Sequence, residues 1–173
     1  SLLNLNPNNI FLDDFLRPHV TYFGETTIPD SDLIDEINNT NHELPLYLSP
    51  EILQRKEKTY KSDAYSFSLI AYQIITGQIP YENLSKKKDV KTFIEKVSNG
   101  LRPNVHCIPD GPVKSLLVRC WNQKPEERPG FDDIIETLTS YPFYKVFEVD
   151  HNACIKYLSE FGHECNVPLE IFD

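Results

Sequence analysis

The chain reads LNPNNIFLDDFLRPHVTYFG over residues 5–24. Asn and Pro crowd the first part of this stretch, and both residue types favour turns. Two short β-prone runs follow, at residues 10–12 and 18–21, and the polar residues Asp13, Asp14 and Arg17 lie between them. Two such runs joined by a short polar loop predict a small β-hairpin.

Beyond the hairpin the sequence predicts helices. Residues 62–76 begin with a capping residue, Ser62, are apolar on nearly all sides and stop at Gly77, which indicates a buried helix. A short helix is predicted to begin at Pro50, with Ser49 as its capping residue. Amphipathic helices are predicted over residues 89–99, 112–121 and 131–138. In the last of these helices, the predicted inward side chains are Phe131, Ile134, Ile135 and Leu138. We therefore predict a fold that is mainly α with a small β-hairpin.

Composition limits the classes of partner. The chain has 173 residues, 40% of them hydrophobic, and a net charge of -9. An acidic chain is a poor ligand for nucleic acid or for an anionic membrane surface, since both attract basic patches. We see no signal peptide and no apolar run long enough to span a bilayer. We expect a cytoplasmic protein with a protein partner, no nucleic acid and no membrane.

The cysteines and histidines give little indication of a metal site. The four cysteines contain no C-x-x-C pair, so reduced thiols are expected. His151, Cys154, His163 and Cys165 could supply ligands in the C-terminal segment, but their spacing matches no common zinc module. We predict no metal site.

The opening stretch resembles the catalytic loop of a protein kinase. That loop usually reads His-Arg-Asp-Leu-x-x-x-Asn, and an Asp-Phe-Gly motif follows a short apolar strand. Leu5 and Asn9 match the loop, while Phe23 and Gly24 match the second motif.

Three later motifs extend the resemblance. Residues 47–51 resemble the Ala-Pro-Glu closure of the activation segment, and residues 63–68 resemble the start of the central buried helix. Residues 120–131 resemble the late Cys-Trp…Arg-Pro signature of tyrosine kinases and tyrosine-kinase-like serine/threonine kinases. The resemblance implies structural roles for three residues: Glu51 pairs with Arg128, and Asp63 anchors the catalytic loop.

The resemblance also implies a domain organisation. Residues 1–141 would form the C-terminal, or large, lobe of a protein kinase, with the small lobe absent from this chain. Residues 142–173 would form a partly helical tail. We expect Ser1 to lie inside a longer protein. The family uses ATP and Mg²⁺, and we expect no cofactor for this chain.

The residues expected to perform kinase chemistry are replaced. The catalytic base position falls on Asn4, and the magnesium-binding Asp of the second motif falls on Tyr22. An amide cannot act as a carboxylate base, and a phenol is a poor ligand for Mg²⁺. Asn9 remains at the second metal position. Leu44 stands where serine/threonine kinases usually have a Thr that contacts the catalytic loop.

Three functions remain open at this stage. The first is an inactive pseudokinase that acts as a binding or regulatory module. The second is a divergent, ATP-dependent serine/threonine or tyrosine protein kinase whose N-terminal lobe lies outside this chain. The third is a non-functional structural remnant, which would expose apolar residues such as Leu2, Leu3 and Leu5.

Overall fold

The hairpin forms where the sequence predicts it. The computed structural model describes residues 5–21, 44–56, 59–85 and 89–140, together with residues 150, 153 and 156. Strands β1 (Ile10–Leu12) and β2 (Pro18–Val20) pair antiparallel, with Ile10 opposite Val20. A 3₁₀ turn at Pro7–Asn9 leads into β1, and the Asn6 side chain caps it by accepting from the Asn8 N–H at 2.9 Å.

A long central helix organises the rest of the described residues. Helix α1 (Pro50–Leu53) is short, and helix α2 follows at Tyr60–Thr76. α2 begins two residues before its predicted start because Thr59, not Ser62, is its capping residue. It ends at Gly77, whose φ of +66° lies in the left-handed region that glycine tolerates best. Its C-terminal end is less buried than predicted, since Ile74 is 78% exposed.

Three more helices pack against this centre. Helix α3 (Glu82–Ser85), which the sequence did not reveal, precedes helix α4 (Val90–Ser98) and helix α5 (Pro112–Cys120). α5 packs on α2, and α4 packs on α1. The predicted apolar faces of α4 and α5 are confirmed, because their inward side chains are buried in the core: Phe93, Val97, Val113, Leu116, Leu117 and Cys120.

Helix α6 (Phe131–Leu138) has the predicted bounds but not the predicted inward face. Ile134 is buried, while Phe131 and Ile135 are 39% and 41% exposed. α6 lies at the margin of the fold, where it packs on α5 and where the Phe131 ring meets the Phe67 ring of α2 edge-on at 6.2 Å. Ile134 lies in the second core cluster, around Leu116, and Leu138 packs against that cluster.

The described part of the chain is thus mostly helical with a two-stranded antiparallel sheet. None of its helices combines the length and the apolar character needed to cross a bilayer. Leu44 is buried in the main core, and Leu5 is also buried, contrary to the exposure expected of a remnant. Leu2, Leu3 and nearly all of the predicted tail at 142–173 lie outside the described residues.

Candidate functional site: a buried ion pair and the catalytic-loop stretch

Helix α1 places Glu51 at the centre of the fold. Pro50 begins the helix, as predicted, because proline fits the first helical turn, where its missing N–H costs nothing. Ser49 takes the capping position but makes no capping hydrogen bond. Its hydroxyl is buried and has no hydrogen-bond partner within the described residues. The predicted capping role of Ser49 is therefore wrong, while the helix start is confirmed.

Glu51 and Arg128 form a bidentate ion pair across 77 positions of the chain. Arg128 donates from Nη1 to Glu51 Oε1 at 2.7 Å and from Nη2 to Oε2 at 2.8 Å. Ser62, on α2, donates to the same Oε1 at 2.7 Å. Arg128 is 1% exposed and Glu51 6%. Paired geometry of this kind is the form in which a protein can bury two charges.

The remaining contacts of Arg128 join three parts of the chain. Its Nε donates to the Asn122 carbonyl at 2.9 Å, and Nη1 also donates to the Lys61 carbonyl at 3.0 Å. The Lys61 ammonium donates in return to the carbonyl of Arg128. The Tyr65 ring lies 5.1 Å from the guanidinium carbon, within the range of a cation–π contact. Arg128 thus ties α1, α2 and the segment before α6 together.

The ion pair sets the charge state of Glu51. Burial raises the pKa of this carboxyl, but the hydrogen bonds and charge of Arg128, with the hydrogen bond from Ser62, outweigh burial. The pKa of Glu51 is therefore below its usual value. The side chain is a stable carboxylate near neutral pH, with its oxygens engaged in holding the fold.

The catalytic-loop stretch is described only in part. The Asn9 carbonyl accepts from the Thr21 N–H at 2.9 Å, which extends the pairing of the two strands by one residue. The predicted site residues Asn4, Tyr22, Phe23 and Gly24 lie outside the described residues. Asp63 lies on α2 and is 6% exposed. Its side chain or main chain makes at least one polar or electrostatic interaction.

Most of the chain matches one known protein family. The family described as Protein tyrosine and serine/threonine kinase matches residues 4–138. This chain belongs to that kinase family. The match includes both halves of the Glu51–Arg128 pair and the catalytic-loop stretch.

Curated relatives of this kinase-family chain are longer proteins. "Protein kinase and PP2C-like domain-containing protein" of Oryza sativa subsp. japonica is 31% identical over 163 residues, covering 78% of this chain and 25% of that protein. "Dual specificity protein kinase pyk3" of Dictyostelium discoideum is 33% identical, covering 78% and 10%. "Serine/threonine-protein kinase TNNI3K" of Homo sapiens is 33% identical, covering 78% and 16%. The chain thus spans a quarter or less of these relatives.

Kinases of this family use ATP and Mg²⁺. At the positions that the resemblance assigns to the kinase metal ligands, the sequence has the amide of Asn9 and the phenol of Tyr22. Mg²⁺ prefers carboxylate oxygens in a strict octahedral arrangement, so this donor set does not fit the ion as kinases hold it. Within the described residues, no group of three or more His, Cys, Asp or Glu is placed to bind a metal.

Two features of the site carried no signal in the sequence. Lys61 reaches the Arg128 carbonyl from α2, and Tyr65 lies between two guanidinium groups, 5.1 Å from that of Arg128 and 5.2 Å from that of Arg102. A lysine at a helix start is usually exposed, and a tyrosine in an apolar run usually packs in the core. Neither residue therefore points to a contact with Arg128 from the sequence alone. Of the contacts around Arg128, the resemblance supplied the pairing with Glu51, which rests on motif positions.

Proposed function

We propose that this chain is a catalytically inactive member of the kinase family that acts as a binding or regulatory module. The observation that carries the proposal is the joint replacement of two aspartates, by Asn4 at the base position and by Tyr22 at the metal position. Asn4 has no carboxylate to accept a proton. Tyr22 offers a phenol, which is a poor ligand for Mg²⁺.

Phosphoryl transfer depends on these two groups more than on covalent chemistry. The protein positions the reactants and supplies charge at the phosphates, and Mg²⁺ provides much of that charge. In other enzymes the loss of a single group that stabilises the transition state lowers kcat by about 10²–10³-fold. The loss of both the base and the metal ligand therefore supports a chain without useful transfer activity.

The contacts by which Arg128 joins α1, α2 and the segment before α6 support a role in binding. Glu51 and Arg128 keep a bidentate pair that is almost fully buried. A fold held in this way can present fixed surfaces to a partner whether or not it binds nucleotide. We propose a protein partner, because a chain with a net charge of -9 repels nucleic acid.

We place the module in the cytoplasm. Cys107 and Cys120 are free thiols, which is the ordinary state in a reducing compartment. Burial raises the pKa of Cys120 to about 12, so this thiol is uncharged and serves packing.

A second candidate is a divergent kinase whose remaining parts lie elsewhere in a longer protein. Two observations favour it: Asn9 is retained, and the relatives named above carry the word kinase in their names. This candidate requires magnesium to be held without a carboxylate at the Tyr22 position.

A phosphate-transfer assay separates the two candidates. The longest natural form of the protein that contains this sequence is incubated with radiolabelled ATP, Mg²⁺ and a mixture of Ser, Thr and Tyr peptides. The matched control is the same protein carrying Asn9→Ala. We expect equal, background incorporation in both. Incorporation by the natural protein that Asn9→Ala abolishes would establish the divergent kinase instead.

A further inference from the structure

A stripe of half-exposed apolar side chains runs along α6. Phe131 and Ile135 are 39% and 41% exposed, and Leu138 is only partly buried. Positions 131, 135 and 138 are spaced by four and then three residues, so the three side chains share one face of the helix. The Phe67 ring of α2 lies beside Phe131. We call these four side chains the α6 stripe.

The core beneath α6 is small for a helix that also exposes apolar residues. Single exposed apolar side chains are common on protein surfaces, but those of the stripe are neighbours along one helix. The second core cluster, on which α6 packs, consists of Ala64, Leu116, Cys120 and Ile134. Covering the stripe would therefore add apolar burial where the described contacts of α6 supply little.

The stripe leads to the point where the chain leaves α6. The Ser140 N–H donates to the Thr137 carbonyl at 3.3 Å, and the Ser140 hydroxyl donates to the same carbonyl at 2.6 Å. Directly after Ser140 the sequence reads YPFYKVF, over residues 141–147. Every residue of this segment except Lys145 is apolar or aromatic, and aromatic side chains bury large areas when they pack.

The segment is long enough to cover the stripe. Pro142 disfavours helical backbone at Tyr141, so the sequence favours a change of direction after α6. The helix rises by about 10 Å from Phe131 to Leu138. Seven residues of extended chain span up to about 25 Å. A segment that turns back after Ser140 therefore reaches the whole stripe.

The charges of the two parts are complementary. α6 contains the carboxylates Asp132, Asp133 and Glu136 and no lysine or arginine. Asp133 accepts from the Gly130 N–H at 3.1 Å and so belongs to the helix cap, while Asp132 and Glu136 are exposed. Residues 141–147 contain one lysine and no carboxylate. A cationic aromatic segment thus matches an apolar stripe beside two carboxylates.

A second copy of the chain is a weaker occupant of the stripe. In a symmetric dimer each copy presents the same patch, which would bring Asp132 and Glu136 of one copy near those of the other. A second copy also loses translational and rotational freedom on binding. A segment joined directly to α6 avoids most of that loss, because its effective concentration is in the millimolar range.

We infer that residues 141–147 fold back along α6 and cover the α6 stripe, with their aromatic side chains against Phe131 and Ile135. This contact would make the segment part of the same packed body as α6. The inference goes beyond the proposed function and does not depend on catalytic inactivity.

Thiol labelling of the full chain tests this contact. Ile135→Cys places a thiol in the stripe, and Ile74→Cys places one at the exposed end of α2 as the matched control. The exposed fractions of the two natural side chains differ by less than a factor of two, 41% against 78%. Without a covering segment, a maleimide should therefore label both positions at similar rates. Peptide mass mapping distinguishes these positions from the four natural cysteines.

The expected result is slow labelling in the stripe. Cys at position 135 should react at least about tenfold more slowly than Cys at position 74, because the covering segment must open first. Adding Phe143→Ser/Phe147→Ser should remove most of this difference. Each variant is first shown to melt cooperatively, and Phe131→Cys replaces Ile135→Cys if the latter does not.

Three results would overturn the inference. The first is similar labelling at both positions in the chain with its natural segment. The second is protection that survives Phe143→Ser/Phe147→Ser, which would assign the stripe to a second copy if the protection grows with protein concentration. The third is protection seen only in the longest natural form of the protein, which would assign the stripe to a part of that protein outside this chain.

Discussion

Two regions of this kinase-family chain are built in opposite ways. Around Glu51 and Arg128 the charged groups are buried and paired at 2.7–2.8 Å. In the hairpin after the catalytic-loop stretch, Phe11 and Leu12 are 57% and 62% exposed, and Asp13 forms its ion pair with Arg17 at the surface. We therefore expect the buried pair to stabilise the fold far more than the exposed hairpin does.

Removal of Arg128 should give the largest effect on stability. Arg128→Met leaves the Glu51 carboxylate buried without its partner, and breaking a buried pair in this way costs about 3–5 kcal/mol. Urea unfolding at pH 7 measures the change. Because whole domains are stable by only about 5–15 kcal/mol, this variant can approach complete unfolding.

A double variant keeps that test informative. Glu51→Gln/Arg128→Met removes both charges, so it should recover part of the stability that Arg128→Met loses. The matched surface control is Glu127→Gln, which breaks the exposed pair with Lys124 and should change stability little. A double variant no more stable than Arg128→Met would show that the two side chains are not coupled in stability.

The same pair should shape the acid stability of the chain. The pKa of Glu51 is lower in the folded chain than in the unfolded one, where it has the usual value of about 4.5. Its stabilising contribution is therefore complete above that value and is lost as the pH falls through the folded pKa. Urea unfolding at several pH values should show a shallower acid decline for Glu51→Gln than for the natural chain. Identical slopes would contradict the assignment.

Two serines beside Glu51 should respond in opposite directions. Ser49 has a buried hydroxyl without a partner in the described part of the chain, so Ser49→Ala should be neutral or stabilise by up to about 1 kcal/mol. Ser62 donates to Glu51, so Ser62→Ala should destabilise by about 1.5–3 kcal/mol. Chemical unfolding compares the two. A larger loss at Ser49 than at Ser62 would reverse our view of this site.

The hairpin should tolerate change best. Phe11→Ser alters a side chain that is 57% exposed, so the free energy of unfolding should shift by no more than about 0.5 kcal/mol. Thermal melting is sufficient to measure this. A loss comparable with that of Arg128→Met would show that the hairpin supports the fold as strongly as the buried pair does.

The sequence predicted much of the fold because its local signals agree with one another. β-prone runs around a polar turn predicted the hairpin, and Gly77 marked the end of α2. The early start of α2 was missed because Ser62 looks like a capping residue. In the structure the Ser62 hydroxyl instead lies 3.5 Å from the Thr59 N–H, completing the capping box of Thr59.

Other errors concern where an element lies in the fold. The spacing of Phe131 and Ile135 indicates an inward face, yet α6 lies at the margin and leaves both partly exposed. Periodicity reports which side chains share a face and not how much protein covers it. Arg102 was missed for a related reason, since one arginine in a loop says nothing of the distant carbonyls it contacts.

Thermal melting with and without ATP and Mg²⁺ tests the central claim most directly. The longest natural form of the protein is melted beside its Asn9→Ala variant. A ligand that binds only the native state stabilises it by about 2.7 kcal/mol when its concentration is 100 times its dissociation constant. Binding would therefore raise the Tm measurably. Our account predicts a cooperative melt that nucleotide and Mg²⁺ leave unchanged. A Mg²⁺-dependent rise in Tm that Asn9→Ala removes would contradict it.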